Sequence, residues 1–183
     1  MLEQITTPYV LLCLDDYFVL ENINTAAIRR CFESLEELGG NLVLVSKVPK
    51  MQRPVSEHPQ LSEVPRGTPY RASLNVGCWR ASTLRALVCE GESAWDFEIK
   101  GSERSNQFFG FYASRHDLYR LNPHAHIRRG IWLRPCLRIA KQMGVQLDLQ
   151  RRPVMSRIEH GLYMARQVKA RIREVLAERI AHQ

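Results

Sequence analysis

The chain has 183 residues, of which 45% are hydrophobic, 25% charged and 8% aromatic. This is long enough to bury a core without metal or disulfide staples, and the composition excludes disorder for the bulk of the chain. No apolar run approaches the roughly 20 residues of a membrane span, and Met1-Leu2-Glu3-Gln4-Ile5 has neither the basic nor the apolar region of a secretory signal. Five cysteines, at 13, 31, 78, 89 and 136, are odd in number and lack a C-x-x-C pair. They predict no disulfide framework and no cysteine zinc site, and they fit a reducing cytoplasm. The formal charge of +7 is uneven: residues 1–100 hold 10 Lys/Arg against 13 Asp/Glu, and residues 101–183 hold 16 against 6. The second half therefore suits an anionic partner, whether nucleic acid, acidic membrane or a phosphorylated ligand.

In chain order, Tyr9-Val10-Leu11-Leu12-Cys13-Leu14 is a continuous apolar run of the kind found in strands buried on both faces. Asn24 is placed to cap a helix over 25–38, with Ile28, Cys31, Phe32, Leu35 and Leu38 on one face and Gly39-Gly40 at its end. A second buried-type strand at 41–46 completes a βαβ-like order. Residues 47–69 hold five of the nine prolines and read as a long surface loop. A strand is expected at 70–76 and helices at 80–89 and 93–101, the latter opened by a Ser93–Asp96 capping box. A strand follows at 107–112 and a helix at 133–143 that Gly144 closes. A long basic amphipathic helix covers 157–181, with Ile158, Leu162, Ala165, Val168 and Ile172 at a spacing of three to four. The fold class is α/β, with a main domain over 1–150 and the basic C-terminal helix over 151–183.

Asp15-Asp16 ends the first strand, where open α/β sheets bind ligands. Two adjacent carboxylates suit Mg²⁺ or Mn²⁺ bridging to a diphosphate; equally, Asp is a good turn residue after a strand. Glu98, beside Trp95 and Phe97 and followed by Gly101-Ser102-Glu103-Arg104, has the setting of a general base, or of an ordinary helical carboxylate beside core aromatics. His124, His126, Arg128, Arg129 and Gly130 form a basic segment able to contact phosphate; solvated loop histidines are the plain alternative. The last helix carries Arg166, Lys169 and Arg173 on its polar face, fit for acidic phospholipid, for RNA, or simply for solvent.

Taken in order, Tyr-Val-Leu-Leu-x-Leu-Asp-Asp-Tyr-Phe (9–18), Ser-Leu-Asn-Val-Gly-x-Trp-Arg (73–80), Gly-Glu-Ser-Ala-Trp-Asp-Phe-Glu (91–98) and Arg-Gly-Ile-Trp (129–132) resemble a family of bacterial glycosyltransferase-like proteins. That family has the nucleotide-diphospho-sugar transferase (GT-A) fold and is associated with surface-polysaccharide biosynthesis. The resemblance covers residues 7–145, and it implies a GT-A-like mixed sheet flanked by helices. It assigns Asp15 and Asp16 to metal and nucleotide, Glu98 to deprotonation of the acceptor hydroxyl, Tyr17, Trp79 and Trp95 to the sugar and acceptor pocket, and Arg129 to a phosphate contact. The implied partners are a nucleotide-sugar donor and a saccharide or lipid-linked acceptor, handled in the cytoplasm or at the inner face of the membrane. Only 14 residues precede the Asp pair, so the resemblance implies the second part of such an enzyme, without its nucleotide-base half. A sheet short of those strands would leave an edge beside 9–14 open to pairing, including with a second copy. The alternative function is a non-catalytic module that docks its basic half on anionic lipid or nucleic acid.

Overall fold

The computed structural model describes residues 2–14, 18–19, 22–47, 53–119, 127–128 and 130–181, the side chains of 171 and 174–181 excepted. These fall into two compact units, one with the described residues up to 119 and the other with 18–19 and the described residues from 127 onward.

The first unit is built on a mixed sheet of six strands. In chain order they are β1 (Tyr9–Leu12), β2 (Leu42–Leu44), β3 (Arg53–Val55), β4 (His58–Glu63), β5 (Gly77–Arg80) and β6 (Phe111–Ser114). Their order across the sheet is β1-β5-β2-β6-β4-β3, and β2 and β6 form the one parallel pair. Helix α1 (Thr25–Glu37) links β1 to β2. Because β5 lies between those two strands, the expected βαβ order appears in split form. Asn24 caps α1 by accepting from Ala27 N at 3.0 Å, and Ile28, Cys31 and Leu35 form its buried face.

β1 differs from expectation. It stops at Leu12 and is an edge strand, paired only with β5 among the described residues. Its apolar run is divided between two environments. Val10 and Leu12 pack on the core, Tyr9 meets Phe32 of α1 at 6.4 Å between ring centroids, and Leu11 stays 43% exposed. A continuous apolar run thus arises from an edge strand that is hydrogen-bonded on one side and packs on the core through alternate residues.

Within the proline-rich segment, residues 53–63 are likewise no loop, since β3 and β4 form a hairpin along the sheet. Pro54 lies in the outermost strand, where a missing N–H costs no ladder bond. Pro59 lies beyond the Leu61–Glu63 stretch that pairs with β6 and beside the irregularity in the β3–β4 register.

Where β2 and β6 begin, Gly110 (φ +67°) and Gly40 touch. A Cβ on Gly110 would lie 2.7 Å from Gly40 Cα. That approach lets Gly110 O accept from both Asn41 N and Leu42 N, at 2.7 and 3.2 Å.

Helix α2 (Ala81–Leu87) follows β5 directly. A further helical stretch runs through α3 (Ala94–Asp96), a π-helical turn (Phe97–Gly101), α4 (Ser102–Arg104) and a 3₁₀ turn (Ser105–Gln107). The core is centred on Trp79, whose ring meets Phe97 at 6.3 Å and Phe111 at 6.0 Å, both edge-on. Gln107–Phe111 is mostly a connection, and the expected strand falls later, at β6.

The second unit contains a short antiparallel pair, β7 (Ile127–Arg128) and β8 (Ile131–Trp132), with helices α5 (Pro135–Gln142) and α6 (Arg157–Ala181). Gly144, at φ +69°, follows α5 as expected. Leu133, Cys136, Ile139 and Tyr163 form this unit's own core, with Phe18 edge-on to Trp132 at 5.8 Å.

Candidate functional site around Glu98

Residues 70–76 were expected to be a strand, yet no ladder forms there. Their polar groups are taken up by side chains instead. Ala72 N donates to Ser102 Oγ at 3.0 Å, and Leu74 N donates to Glu98 Oε1 at 2.8 Å. Ser73 Oγ donates to the same Glu98 oxygen at 3.0 Å. Tyr70, at φ +56°, turns the chain inward just before Arg71.

Arg71 is 2% exposed and has no carboxylate within ion-pair distance among the described residues. Its fork is filled by carbonyls and a hydroxyl. Nε donates to Val64 O (3.0 Å), Nη1 to Ser105 O (2.6 Å) and Ser105 Oγ (3.0 Å), and Nη2 to Phe108 O (3.2 Å). The guanidinium also stacks 3.9 Å from the centre of the Phe111 ring. Burial lowers its pKa to about 10, with Arg66 adding to the effect, so it remains a cation at neutral pH. A guanidinium whose three nitrogens each donate to an acceptor is how a charge is kept inside a core.

The helical stretch carrying Glu98 is fixed at both ends. At its start the Ser93–Asp96 capping box is formed as expected, with Asp96 N donating to Ser93 Oγ at 3.1 Å and Ser93 N to Asp96 Oδ2 at 3.2 Å. The Ser93 hydroxyl, then Lys100 at 3.1 Å, hold the Asp96 carboxyl down to about 2. Further along, Arg104 makes a two-pronged contact with Glu92 at 2.9 and 2.6 Å and donates to Leu87 O. These hydrogen bonds are the main reason that the Glu92 carboxyl lies below its ordinary value. Ser102 Oγ donates to Glu98 O at 2.5 Å within the helical stretch and accepts from Ala72 N, which ties the π-helical turn to the segment before β5.

Glu98 is half-buried, and among the described residues its hydrogen bonds reach Oε1 alone. One carboxylate oxygen is thereby anchored, and the other makes no hydrogen bond among the described residues. Beside this stretch lies a mostly apolar cavity of about 180 Å³, bordered by Leu12, Leu74, Leu84, Ala94 and Phe97, with Glu92 at its polar side.

The residues assigned from sequence fare differently. Glu98 and Trp79 are joined through Phe97, but Trp79 is wholly buried in the core while Trp95 is 68% exposed on α3. The structure does not bring the two tryptophans together. Asp15, Asp16, Tyr17 and Arg129 lie outside the described residues, as do His124 and His126. Among the described residues no group of three or more His, Cys, Asp or Glu is placed to hold a metal ion. Sequence reasoning missed Ser73, Ser102 and Arg71. The only signal for them was the small polar spacing, Arg-x-Ser and Gly-Ser, on either side of the Glu98 segment. No protein-family model, curated protein or solved structure matches the chain. What stands without qualification is a mixed α/β fold whose described helices include none long and apolar enough to cross a membrane.

Proposed function

We propose that the chain is a metal-dependent glycosyltransferase of GT-A type, or the C-terminal part of one, that moves a sugar from a nucleotide-sugar to a hydroxyl acceptor. The observation that carries this reading is the meeting of two of its motifs at one carboxylate. Ser73 and Leu74 of the 73–80 segment both hydrogen-bond Oε1 of Glu98, the last residue of the 91–98 segment. The 101–104 follow-on closes back on the same stretch through Arg104 and Glu92. Hydrogen bonds from outside its own helical stretch hold this carboxylate in one orientation, as a general base needs.

In this reading Glu98 takes the acceptor's hydroxyl proton on Oε2 while Ser73 and Leu74 hold Oε1. The acceptor oxygen attacks the anomeric carbon as the bond from that carbon to the diphosphate breaks, with inversion. Asp15 and Asp16 are hard oxygen donors of the type that Mg²⁺ or Mn²⁺ prefers. A cation held there, when bound, offsets the charge of the departing nucleoside diphosphate. Trp95 offers an exposed ring to the acceptor, and Arg129 a cation to phosphate.

The test is donor hydrolysis or transfer with UDP- and GDP-sugars and Mn²⁺, together with thermal shift. Glu98→Gln keeps an acceptor for Ser73 and Leu74, so the fold is retained and turnover falls by about 10²–10⁴-fold. Asp16→Ala is expected to remove the Mn²⁺-dependent shift. Turnover unchanged in Glu98→Gln would overturn the assignment of the base.

A further inference from the structure

Helix α6 has a broad apolar arc, and only part of it is packed. At 100° per residue, Tyr163 and Met164 point to one side and pack on Leu133, Cys136 and Ile139. Tyr163 is 9% exposed, and Arg128 stands over its ring at 4.9 Å. From Val168, which adjoins Met164, round to Ile172, Ile158 and Leu162 the side chains are 56%, 54%, 79% and 58% exposed. This is a stripe of large apolar side chains along about four turns. Lys169 falls within the stripe rather than on a separate polar face, and Arg166 and Arg173 border it, all three exposed. Over 157–173 the charged residues are five cations and one anion, and that anion, Glu159, is engaged at the helix start, where its Oε2 accepts from Ser156 N at 3.0 Å.

We propose that this face of α6 lies on an anionic lipid bilayer. The stripe would enter the headgroup–acyl boundary, with Arg166, Lys169 and Arg173 reaching their charged ends to lipid phosphates. Charge selects this occupant over the others. A second copy laid along the helix, parallel in register or antiparallel about the helix midpoint, sets Lys169 against Lys169 with no anion between them. A nucleic acid would satisfy the cations but leave the isoleucines and leucine in water. An acidic bilayer satisfies both. The described helices include no membrane-crossing span, so the helix lies in the interface plane. This inference is independent of the sugar-transfer reading and concerns where the chain works.

The test is co-sedimentation of the full chain with phosphatidylcholine vesicles, with or without about 30% phosphatidylglycerol. Binding is expected only to the mixed vesicles and is expected to weaken steeply from about 0.05 to about 0.5 M NaCl. Lys169→Gln should cost about fivefold in partitioning. Leu162→Glu with Ile172→Glu should abolish it while leaving the circular dichroism spectrum unchanged, since both side chains are already exposed. Equal binding to both vesicle types, or retention by the double variant, overturns the proposal. So does a concentration-dependent dimer that forms without lipid and is lost in the double variant, which would assign the face to a second copy.

Discussion

Arg71 and Ile158 occupy positions that a hydropathy scale would exchange: the guanidinium is 2% exposed in the first unit, and the isoleucine 79% exposed in the second. The difference lies in what surrounds each. Arg71 meets three carbonyls, a hydroxyl and an aromatic face arranged around its fork, so each of its three nitrogens keeps an acceptor on burial. Ile158 belongs to a helix whose packing requirement is already met on the other side by Tyr163 and Met164. Burial thus follows from available partners, and side-chain polarity alone does not set it. In the first unit unusual groups are compensated internally, whereas α6 offers a surface that calls for something outside the chain.

The largest effect expected is at Arg71. Arg71→Met keeps much of the volume but leaves Val64 O, Ser105 O and Phe108 O without their donor in a dry core. The cost should be about 4 kcal/mol in urea denaturation. A cost under about 1 kcal/mol would mean that water or a rearranged carbonyl replaces the fork, and the contrast with α6 would lose its first half.

Glycines sharpen the same contrast. Gly110→Ala places a Cβ 2.7 Å from Gly40 Cα at a backbone angle of +67°, and should cost about 3 kcal/mol. Gly161, inside α6, has nothing within 4 Å of its added Cβ, so Gly161→Ala should stabilise the helix by about 1 kcal/mol. Both changes are readable in thermal melts of the two variants. If they moved stability in the same direction, the claim that one region is close-packed and the other open would fail.

The smallest effect is local and pH-dependent. The folded-state pKa of Asp96 is depressed to about 2 from its ordinary 3.8. The capping box's contribution is therefore full above about pH 4 and is lost as the pH falls toward 2. A carboxyl-carbon NMR titration should show the low midpoint, and Ser93→Ala should move it back up toward the ordinary value. An unmoved midpoint would shift the cause to Lys100.

Helices were the most legible part of the chain. Asn24, the Ser93–Asp96 pair and Gly144 mark helix ends by short-range chemistry that needs no knowledge of the fold. Strands were less legible. Pairing partners are distant in sequence, so an edge strand gave the same apolar run as a central one, and prolines at an edge read as a loop. The 70–76 segment was misread because two of its backbone donors, Leu74 N and Ala72 N, are satisfied by Glu98 and Ser102, which lie 24 and 30 residues away. At the candidate site, Glu98 was visible as an acidic residue beside aromatics, but the residues that orient it were not.

By itself, the sequence determined the α/β class, the helix starts and stops, the charge asymmetry and the continuous 3–4 apolar spacing of residues 157–181, because each depends on composition or on neighbours a few positions apart. The tertiary structure alone decided that Arg71 is interior, that Trp79 and Trp95 part company, that Ser73 and Leu74 hold Glu98, and that only part of the apolar arc of α6 is packed, with the rest left open. Those outcomes depend on which distant groups arrive within hydrogen-bonding or packing distance, and only the folded chain sets that distance.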